Sequence, residues 1–314
     1  MSKKHVKKGL GPKLFFLLMI LAAAAVIVAA LLALRFYGFR YIKYTTEAHG
    51  VIRFVGRVDK SARPISGKVF YENGTTAVIS QAEKLEYRDG AIPETGEEGV
   101  YTLTYSNGDK YEGELEYFLR RGNGILTFTG GDIYEGEFLF DEMTGTGSYY
   151  YLNGDIYRGS FISGKKSGEG VYTWAPDDGG RSDVYEGMYV DDKRCGYGKY
   201  TFSDGTVYEG TYIDDVKRGR GKLTFPDGDT YEGDFLNDMR TGVGVYTWSS
   251  GECYKGEFLK NAITGKGTYY WTSGSNRMSY EGYFLNGKIV HVEEEIPEET
   301  EDPGESGENE ATGG

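Results

Sequence analysis

The chain has 314 residues, with 48 glycines, 28 tyrosines, only 7 prolines and a formal net charge of −13. Glycine and tyrosine at this level are typical of turns and aromatic strands, and not of an average globular domain. Residues 44–292 hold 27 bases against 38 acids, so they cannot gain the counterion release that drives nucleic-acid binding. We therefore expect no nucleic-acid partner.

The amino-terminal end has the pattern of a membrane anchor. Residues 1–13 carry five lysines, and Leu14 to Leu34 are 21 consecutive uncharged residues. A helix of that length spans roughly 30 Å, the thickness of the hydrocarbon layer of a bilayer. Only Arg35, Arg40 and Lys43 follow within a similar distance, so the heavier positive cluster is expected to stay in the cytoplasm. We predict a transmembrane helix at 14–34, a cytoplasmic segment at 1–13, and everything beyond on the outer side of the cell membrane.

A cleaved signal peptide is the alternative interpretation of the same segment. Small residues at Ala22 to Ala25 and at Ala29-Ala30 are the kind near which a signal peptidase cuts. The apolar run is long for a signal peptide, which favours the anchor.

Residues 35–110 follow as a juxtamembrane and β region. Val51 to Val55 and Lys68 to Tyr71 are β-branched and aromatic runs that predict short strands. Gly99 to Tyr105 resembles the second half of the repeat described next, and the matching first half around Tyr87-Arg88 has lost its motif. We interpret this as a degenerate repeat that caps the array.

A unit that opens with tyrosine recurs eight times within residues 111–291, at a spacing of 23 residues that lengthens to 28 after Tyr157 and to 26 after Tyr254. Seven units are complete, and each has Gly-x-Gly eleven residues after its tyrosine. The residues that define the units are Tyr111, Gly113, Tyr134, Gly136, Tyr157, Gly159, Tyr185, Gly187, Tyr208, Gly210, Tyr231, Gly233, Tyr254, Gly256, Tyr280 and Gly282.

This pattern resembles the MORN (membrane occupation and recognition nexus) repeat, in which Tyr-Glu-Gly and an aromatic residue precede Gly-x-Gly. Tyr-Glu-Gly is present in six of the eight units, and Arg158 and Lys255 replace the glutamate in the other two. The family often has glycine seven residues after the tyrosine, where this chain has Asp141, Asp192, Asp215, Asp238 and Asn261. Because Asp and Asn tolerate the left-handed conformation, we expect the turn to survive.

Strand geometry predicts the fold from the residues themselves. Alternate residues of a strand share a face, so Tyr231, Gly233 and Phe235 should point together, as should Gly242 to Trp248 at every second position. One face is then glycine and aromatic, and the other is mixed to polar. We predict an all-β protein, one elongated antiparallel sheet of stacked β-hairpins, preceded by a transmembrane α-helix.

Candidate chemistry is sparse. The three histidines, His5, His49 and His291, lie outside the repeats and far from one another in sequence, so we expect neither a catalytic site nor a metal site nor a cofactor. The Gly-x-Gly pairs lack the helix and the Lys-Ser/Thr of phosphate loops. We expect a protein that is not an enzyme.

Two further features concern the cysteines and the carboxyl end. Cys195 and Cys253 are predicted to lie about five strands apart, roughly 24 Å, too far for a disulfide between them. Residues 292–314 carry ten acids and no base, which predicts a disordered acidic tail.

Function is expected where the repeat is broken. The two long spacings predict long connections at 175–184 and 272–279, at one edge of the sheet, where a partner could bind. The candidate contact residues are Asp177, Asp178, Arg181, Asp183, Ser275, Asn276 and Arg277. Our first hypothesis is a membrane-anchored interaction scaffold for protein partners. An aromatic module that binds cell-wall glycan and a lipid-binding array are alternatives, and homo-oligomerisation stays open.

Overall fold

A computed structural model describes residues 12–47, 49–91, 93–96, 99–177 and 179–290. Residues 1–11 of the predicted basic segment, the predicted acidic tail 292–314 and the candidate contact residue Asp178 lie outside these ranges.

The described residues begin with the helix α1 (Pro12–Phe36), which contains the predicted span. Its segment Phe16–Phe36 is exposed throughout and is long and apolar enough to cross a bilayer. A signal sequence has the same length and composition, so α1 agrees with both interpretations of this segment.

The described residues form 21 strands in one antiparallel sheet, as predicted, and each strand pairs with its neighbours in the sequence. The first five strands precede the repeats and are β1 (Phe39–Thr46), β2 (Gly50–Val58), β3 (Pro64–Phe70), β4 (Thr76–Ala82) and β5 (Val100–Tyr105). The strands of the repeats are β6 (Lys110–Glu116), β7 (Leu119–Thr127), β8 (Ile133–Leu139), β9 (Glu142–Tyr150), β10 (Ile156–Ile162), β11 (Lys165–Thr173), β12 (Val184–Val190), β13 (Lys193–Thr201), β14 (Val207–Ile213), β15 (Val216–Thr224), β16 (Thr230–Leu236), β17 (Met239–Thr247), β18 (Cys253–Leu259), β19 (Ala262–Ser273), β20 (Asn276–Leu285) and β21 (Lys288–Val290).

The two edges of the sheet have different connections. Each repeat closes its hairpin with a two-residue turn, such as 237–238 between β16 and β17. Because strands alternate in direction, these turns lie at the edge where α1 joins β1, which we call the helix edge. The connections between repeats lie at the opposite edge, which we call the far edge, and both spacing anomalies fall there as predicted.

The helix-edge turns confirm that Asp and Asn can replace the turn glycine. Asn237 and Asp238 have φ of 51° and 66°, in the left-handed region. The aspartate also adds a bond that glycine cannot make, because its Oδ1 accepts the N–H of Lys217 in the preceding repeat at 3.0 Å. The same bond joins repeats at Asp141, Asp192, Asp215 and Asn261.

Simple strand alternation fails at the first glycine of each Gly-x-Gly. The pairing of β16 with β17 shifts register after Gly233, and Gly242 has a φ of 58°. A Cβ on Gly242 would meet the side chain of Asp234, whereas a Cβ on Gly244 would meet the ring of Tyr231. Gly242 therefore forms a β-bulge and does not lie under the aromatic face, contrary to our expectation from alternation.

The first strands curl into a compact core that the sequence pattern did not predict. Phe54 of β2 is fully buried and stacks on Phe118, in the turn after β6, with ring centroids 4.9 Å apart. The Tyr71 hydroxyl donates to the carbonyl oxygen of Phe118 at 3.0 Å. These contacts hold Phe118 at a φ of 66°, which is unfavourable for a bulky residue.

Residues 83–91, 93–96 and 99, which we call the strap, connect β4 to β5 across the sheet face opposite the repeat tyrosines. The Arg88 N–H donates to both carboxylate oxygens of Glu135, at 3.1 and 3.0 Å, and Glu135 is only 3% exposed. Burial raises the pKa of Glu135, and the Arg88 N–H opposes that rise. The stretch around Tyr87-Arg88, which we interpreted as a worn half repeat, is therefore a loop, and β4 pairs with β5 instead.

Candidate functional site

The repeat tyrosines form a buried row along one face of the sheet, which we call the tyrosine face. Tyr231 is 0% exposed and packs edge-on against Phe235 and Phe258, with ring centroids 5.4 and 4.9 Å away. Its hydroxyl donates to the carbonyl oxygen of Asp234 at 3.0 Å. The ring covers Gly233 and Gly244, where any side chain would overlap it. This inner aromatic row therefore holds the repeats together and offers no surface to a ligand.

The same arrangement recurs at the other predicted repeat-defining residues. Their rings continue the inner row by edge-on contacts from one repeat to the next. Of the eight tyrosines, only Tyr280 in the last repeat is partly exposed. All sixteen residues are thus structural in this fold.

A second row of rings lies beside the first and is only partly buried. This outer aromatic row stacks with tilted rings, for example Tyr172 on Trp174 at 4.4 Å and Tyr246 on Trp248 at 4.8 Å. It runs in two segments, from Phe128 to Phe202 and from Phe225 to Trp271, whose members are Phe128, Tyr149, Tyr151, Tyr172, Trp174, Tyr200 and Phe202, then Phe225, Tyr246, Trp248, Tyr269 and Trp271. Leu223 stands at the position between the segments where the repeats on either side have Tyr200 and Tyr246.

Cationic side chains fill the gap between the two aromatic rows. The Nζ of Lys217 lies 4.8 Å from the ring centres of both Phe202 and Tyr208, and the Arg240 guanidinium lies 5.5 Å from those of Tyr231 and Tyr246. Burial lowers the pKa of Lys217, while the charge of Asp238 opposes the change. These side chains act as half-buried cation–π bridges between the rows.

A row of carboxylates borders the outer aromatic row at the far edge. Asp229 accepts the Tyr246 hydroxyl on one oxygen at 2.6 Å and the Ser249 N–H on the other at 2.8 Å. These two bonds hold the pKa of Asp229 below its ordinary value. Asp132, Asp155 and Asp183 make the same pair of bonds in their repeats, and Glu252 makes the bond to tyrosine. The tyrosine face therefore carries aromatic rings beside carboxylates, of which Asp155 and Asp229 are only 8% exposed and Asp132, Asp183 and Glu252 are partly exposed.

A depression on this face lies at the second segment of the outer row. Phe225, Arg240, Tyr246 and Trp248 line an open pocket of about 440 Å³ together with residues of the following two repeats. The pocket offers aromatic walls, one half-buried guanidinium and the amide of Asn261. An extended chain lying along the outer row would pass over it.

The predicted contact loops lie at the far edge but differ in structure. Asp177, Arg181 and Asp183 border a pocket of about 600 Å³ next to Trp174, and Asp183 also bonds Tyr200 and Ser203. The second anomaly is not a loop. Instead, β19 and β20 extend past the edge, with Ser275 in the turn and Asn276 and Arg277 at the start of β20.

The bridging cations and the carboxylates other than Asp183 were not singled out from the sequence, and the outer rings were predicted only as part of one aromatic face. The signal was present, because Lys166, Arg194, Lys217 and Arg240 each stand nine residues after a repeat tyrosine. Within the described ranges there is no group of three His, Cys, Asp or Glu side chains placed to hold a metal ion.

The sequence profile of the MORN repeat family matches six consecutive segments, 134–156, 157–179, 185–207, 208–230, 231–253 and 254–276. These six segments are MORN repeats. Each matched segment opens with the buried tyrosine of the inner row. The hairpins that open with Tyr111 and Tyr280 continue the sheet at the two ends of these segments and lie outside the match.

Comparison with whole proteins adds little to this assignment of MORN repeats. No curated protein sequence matches the chain. Among solved structures, the TCP domain of SAS-4 from Drosophila melanogaster, solved with a proline-rich motif of Ana2, is 14% identical at a TM-score of 0.34, over 56% of this chain and 96% of that one. A streptogramin B lyase is 11% identical at a TM-score of 0.13, over 80% and 85% of the two chains. Similarity this low supports no inference about function.

Proposed function

We propose that this protein is a non-catalytic scaffold, anchored in the cell membrane by α1, whose outer aromatic row binds an extended basic segment of a partner protein. The observation that carries the proposal is the contrast between the two rows. The inner row is buried and complete, whereas the outer row leaves rings such as Trp174 and Trp248 partly exposed beside carboxylates.

The chemistry of the face favours a cationic partner. Aromatic faces attract Lys and Arg, and the carboxylate row adds charge of the matching sign. Three of the bridging cations have a carboxylate near them, since Arg194 pairs with Asp215 at 3.0 Å and the charges of Asp192 and Asp238 act on Lys166 and Lys217, whereas Arg240 bonds to the neutral Asn261. The excess of acids over residues 44–292 would steer a basic partner toward the array.

The repeat spacing favours an extended partner. Two strands advance the sheet by about 9.6 Å, and an extended or polyproline II peptide covers that distance in about three residues. A peptide that runs along the outer row would therefore meet an equivalent site at every third residue.

The proposal can be tested with a synthetic peptide that has arginine at every third residue. Prolines between the arginines keep the peptide extended. We expect it to bind the full chain in phosphatidylcholine vesicles, and Trp248→Ala to weaken binding about 10-fold, because a buried aromatic contact at an interface contributes over 1 kcal/mol. The measurement is a fluorescence titration at two salt concentrations. Val243→Ala, on the opposite face, is the matched control and should bind normally. Equal binding by both variants, or tighter binding of a glutamate version of the peptide, would contradict the proposal.

A cell-wall glycan is the second candidate ligand, because exposed tyrosine and tryptophan rings also stack on sugars. If the full chain sediments with wall polysaccharide and the Trp248→Ala variant does not, the result would favour the glycan over the peptide. Lipid binding by the array is the weaker alternative, since its acidic charge is repelled by anionic headgroups.

The anchoring part of the proposal rests on α1 and on the basic residues before it. Five lysines precede the apolar run, which favours a cytoplasmic amino terminus and an array on the outer side. The tyrosine face would then meet partners outside the cytoplasmic membrane.

A further inference from the structure

The first four strands carry bases and no acid, although the chain as a whole is acidic. Strands β1 to β4 contain Arg40, Lys43, Arg53, Arg57 and Lys68, and neither aspartate nor glutamate occurs in any of them. Four of these basic side chains are exposed, and Arg40 is only partly exposed. A chain with a formal net charge of −13 thus begins its sheet with a cluster of positive charge.

Strand pairing places the four exposed bases on one side of the sheet. Lys43 of β1 lies directly opposite Arg53 of β2, and Lys68 of β3 lies opposite Val55, halfway between Arg53 and Arg57. By strand spacing the four charges surround Val55 within an area of about 10 by 13 Å. We call this surface the basic face, and its exposed side chains are those of Phe39, Tyr41, Lys43, Arg53, Val55, Arg57 and Lys68. The register from β2 to β6 places it on the back face, which is the side of the sheet opposite the repeat tyrosines.

The bases of the basic face form no ion pair with the described residues. The ion pairs of those residues all lie between residues 84 and 281. Lys68 lies instead against the ring of Phe70, with its Nζ 5.4 Å from the ring centre. Like charges that lie directly opposite each other, as at Lys43 and Arg53, destabilise a strand pair. An anion bound from outside would remove this repulsion.

Three acids lie in the turns that join these strands. The carboxylate of Asp59 accepts two N–H groups of its own turn, at 2.9 and 2.8 Å. Glu72 accepts the N–H of Val51 at 2.8 Å. Glu47 follows the end of β1 at the far edge, on the opposite side from α1. The acids nearest the basic face therefore leave its charge largely uncompensated.

The basic face begins where α1 ends. Strand β1 starts at Phe39, three residues after the end of α1. The Arg40 guanidinium donates to the carbonyl oxygen of Arg35 at 2.9 Å, and the Val58 N–H donates to that of Gly38 at 3.0 Å. These bonds join β1 and β2 to the end of α1. Strand geometry then puts all four bases within about 15 Å of the first residue of β1.

We propose that the basic face binds the phosphate groups of anionic lipids at the surface of the bilayer that α1 spans. Lys and Arg bind phosphate through charge-assisted hydrogen bonds, and an anionic leaflet attracts bases that lie within a Debye length of it. The ring of Tyr41, which is 62% exposed, suits the headgroup level beside them. The inference rests on α1 as a membrane anchor, which is part of the proposed function, and not on the outer aromatic row.

Position favours lipid over the other concentration of negative charge in this chain. The acidic residues 292–314 follow β21, which lies twenty strand steps from β1, about 96 Å along the sheet. Strand β6 already carries Glu112 and Glu114 on the back face, so the positive charge ends with the first strands. The lipid contact is thus confined to the strands next to the membrane, which agrees with an array that anionic lipid repels.

Fluorescence quenching in the full chain tests this contact. Val55→Cys, in a Cys195→Ser, Cys253→Ser background, carries a fluorophore at the centre of the basic face, and the protein is reconstituted in phosphatidylcholine vesicles. Nitroxide-labelled phosphatidylglycerol or nitroxide-labelled phosphatidylcholine is then added in equal steps. We expect half-quenching at a roughly fivefold lower mole fraction of phosphatidylglycerol, the factor that one base near an anionic surface contributes. The difference should vanish in about 1 M salt, where the Debye length is about 3 Å.

Two double variants that remove the same charge provide a matched pair. Lys43→Gln with Arg53→Gln removes the opposed bases of the basic face and should abolish most of the preference for phosphatidylglycerol. Lys199→Gln with Lys222→Gln removes two exposed bases from the back face of the repeats and should leave the preference unchanged. Because the first variant relieves a repulsion between strands, it should unfold thermally no earlier than the parent protein in phosphatidylcholine.

Four outcomes would overturn the inference. The first is equal quenching by the two lipids in a chain that stays in the vesicles. The second is a preference for phosphatidylglycerol that survives Lys43→Gln with Arg53→Gln. The third is protection of residue 55 from acrylamide that grows with protein density in phosphatidylcholine alone, which would indicate a second copy on the basic face. The fourth is release of the chain from the vesicles by carbonate, which would overturn the anchor as well, whereas the other three leave the anchor intact.

Discussion

Replacing Tyr231 by alanine should lower the free energy of unfolding of the array by about 3–5 kcal/mol, the range measured for removing a large buried aromatic side chain. Tyr231 is fully buried, and its ring touches Phe235 and Phe258 and covers two glycines that have no side chain to fill the space. The cavity cannot close without moving the backbone. Chemical denaturation of the full chain in detergent measures the change.

Two further variants separate the causes of this loss. Tyr231→Phe removes only the hydroxyl bond to the Asp234 carbonyl, so it should cost about 1 kcal/mol. Tyr246→Ala removes a ring of the outer row, which is only partly buried, and should cost less than Tyr231→Ala. Because repeats stabilise their neighbours, hydrogen exchange should accelerate first in β14–β19, around the cavity. A larger loss for Tyr246→Ala than for Tyr231→Ala would contradict the structural role of the inner row.

The second large effect is cooperative unfolding in alkali. Burial raises the pKa of Tyr231 and of Tyr185 to about 12, and burial together with the Asp229 carboxylate raises the pKa of Tyr246 to about 12. A tyrosine with a raised pKa in the folded state contributes stability that is complete below its unfolded pKa of about 10 and is lost as the pH rises toward the folded value. Many tyrosines act together, so we expect the array to unfold between about pH 10 and pH 12.

Two signals recorded during one pH titration test this expectation. Tyrosinate absorbance and the β-sheet circular dichroism should change together, since the buried rings ionise only when the sheet opens. Returning the sample to neutral pH controls for chemical damage. Full ionisation of the tyrosines near pH 10 with the sheet signal intact would show that the rings are accessible to solvent. That result would contradict the burial of the inner row.

Strand periodicity predicted the parts of the fold that depend on neighbouring residues alone. Tyr231, Gly233 and Phe235 share a face because nothing interrupts β16. Gly242 does not follow the same rule, because the bulge there depends on how β17 pairs with β16, which a single strand pattern does not contain. The turn aspartates were predictable as turn residues, but their bonds to the preceding repeat depend on the stacking of hairpins.

Long-range contacts account for what the pattern missed. The stacking of Phe54 on Phe118 joins residues 64 positions apart, and no local periodicity indicates that the first strands curl. The strap crosses the back face through the bond from Arg88 to Glu135, another contact between distant segments. For the candidate site, the tyrosines and glycines were predicted as the structural residues that define the repeat, and seven of the eight tyrosines lie fully buried in the inner row. The outer aromatic row could be identified only from the structure, because its rings come from several repeats and their contacts depend on how the repeats pair.

The most direct test of the proposed scaffold is the side of the membrane on which the array lies. Asp204→Cys, in the Cys195→Ser, Cys253→Ser background, places one thiol in an exposed far-edge turn. A membrane-impermeant maleimide added to intact cells should label this cysteine without lysis, and the labelled protein should stay in the membrane fraction after carbonate extraction. Labelling that appears only after permeabilisation would contradict an outer array, and release by carbonate would contradict the anchor.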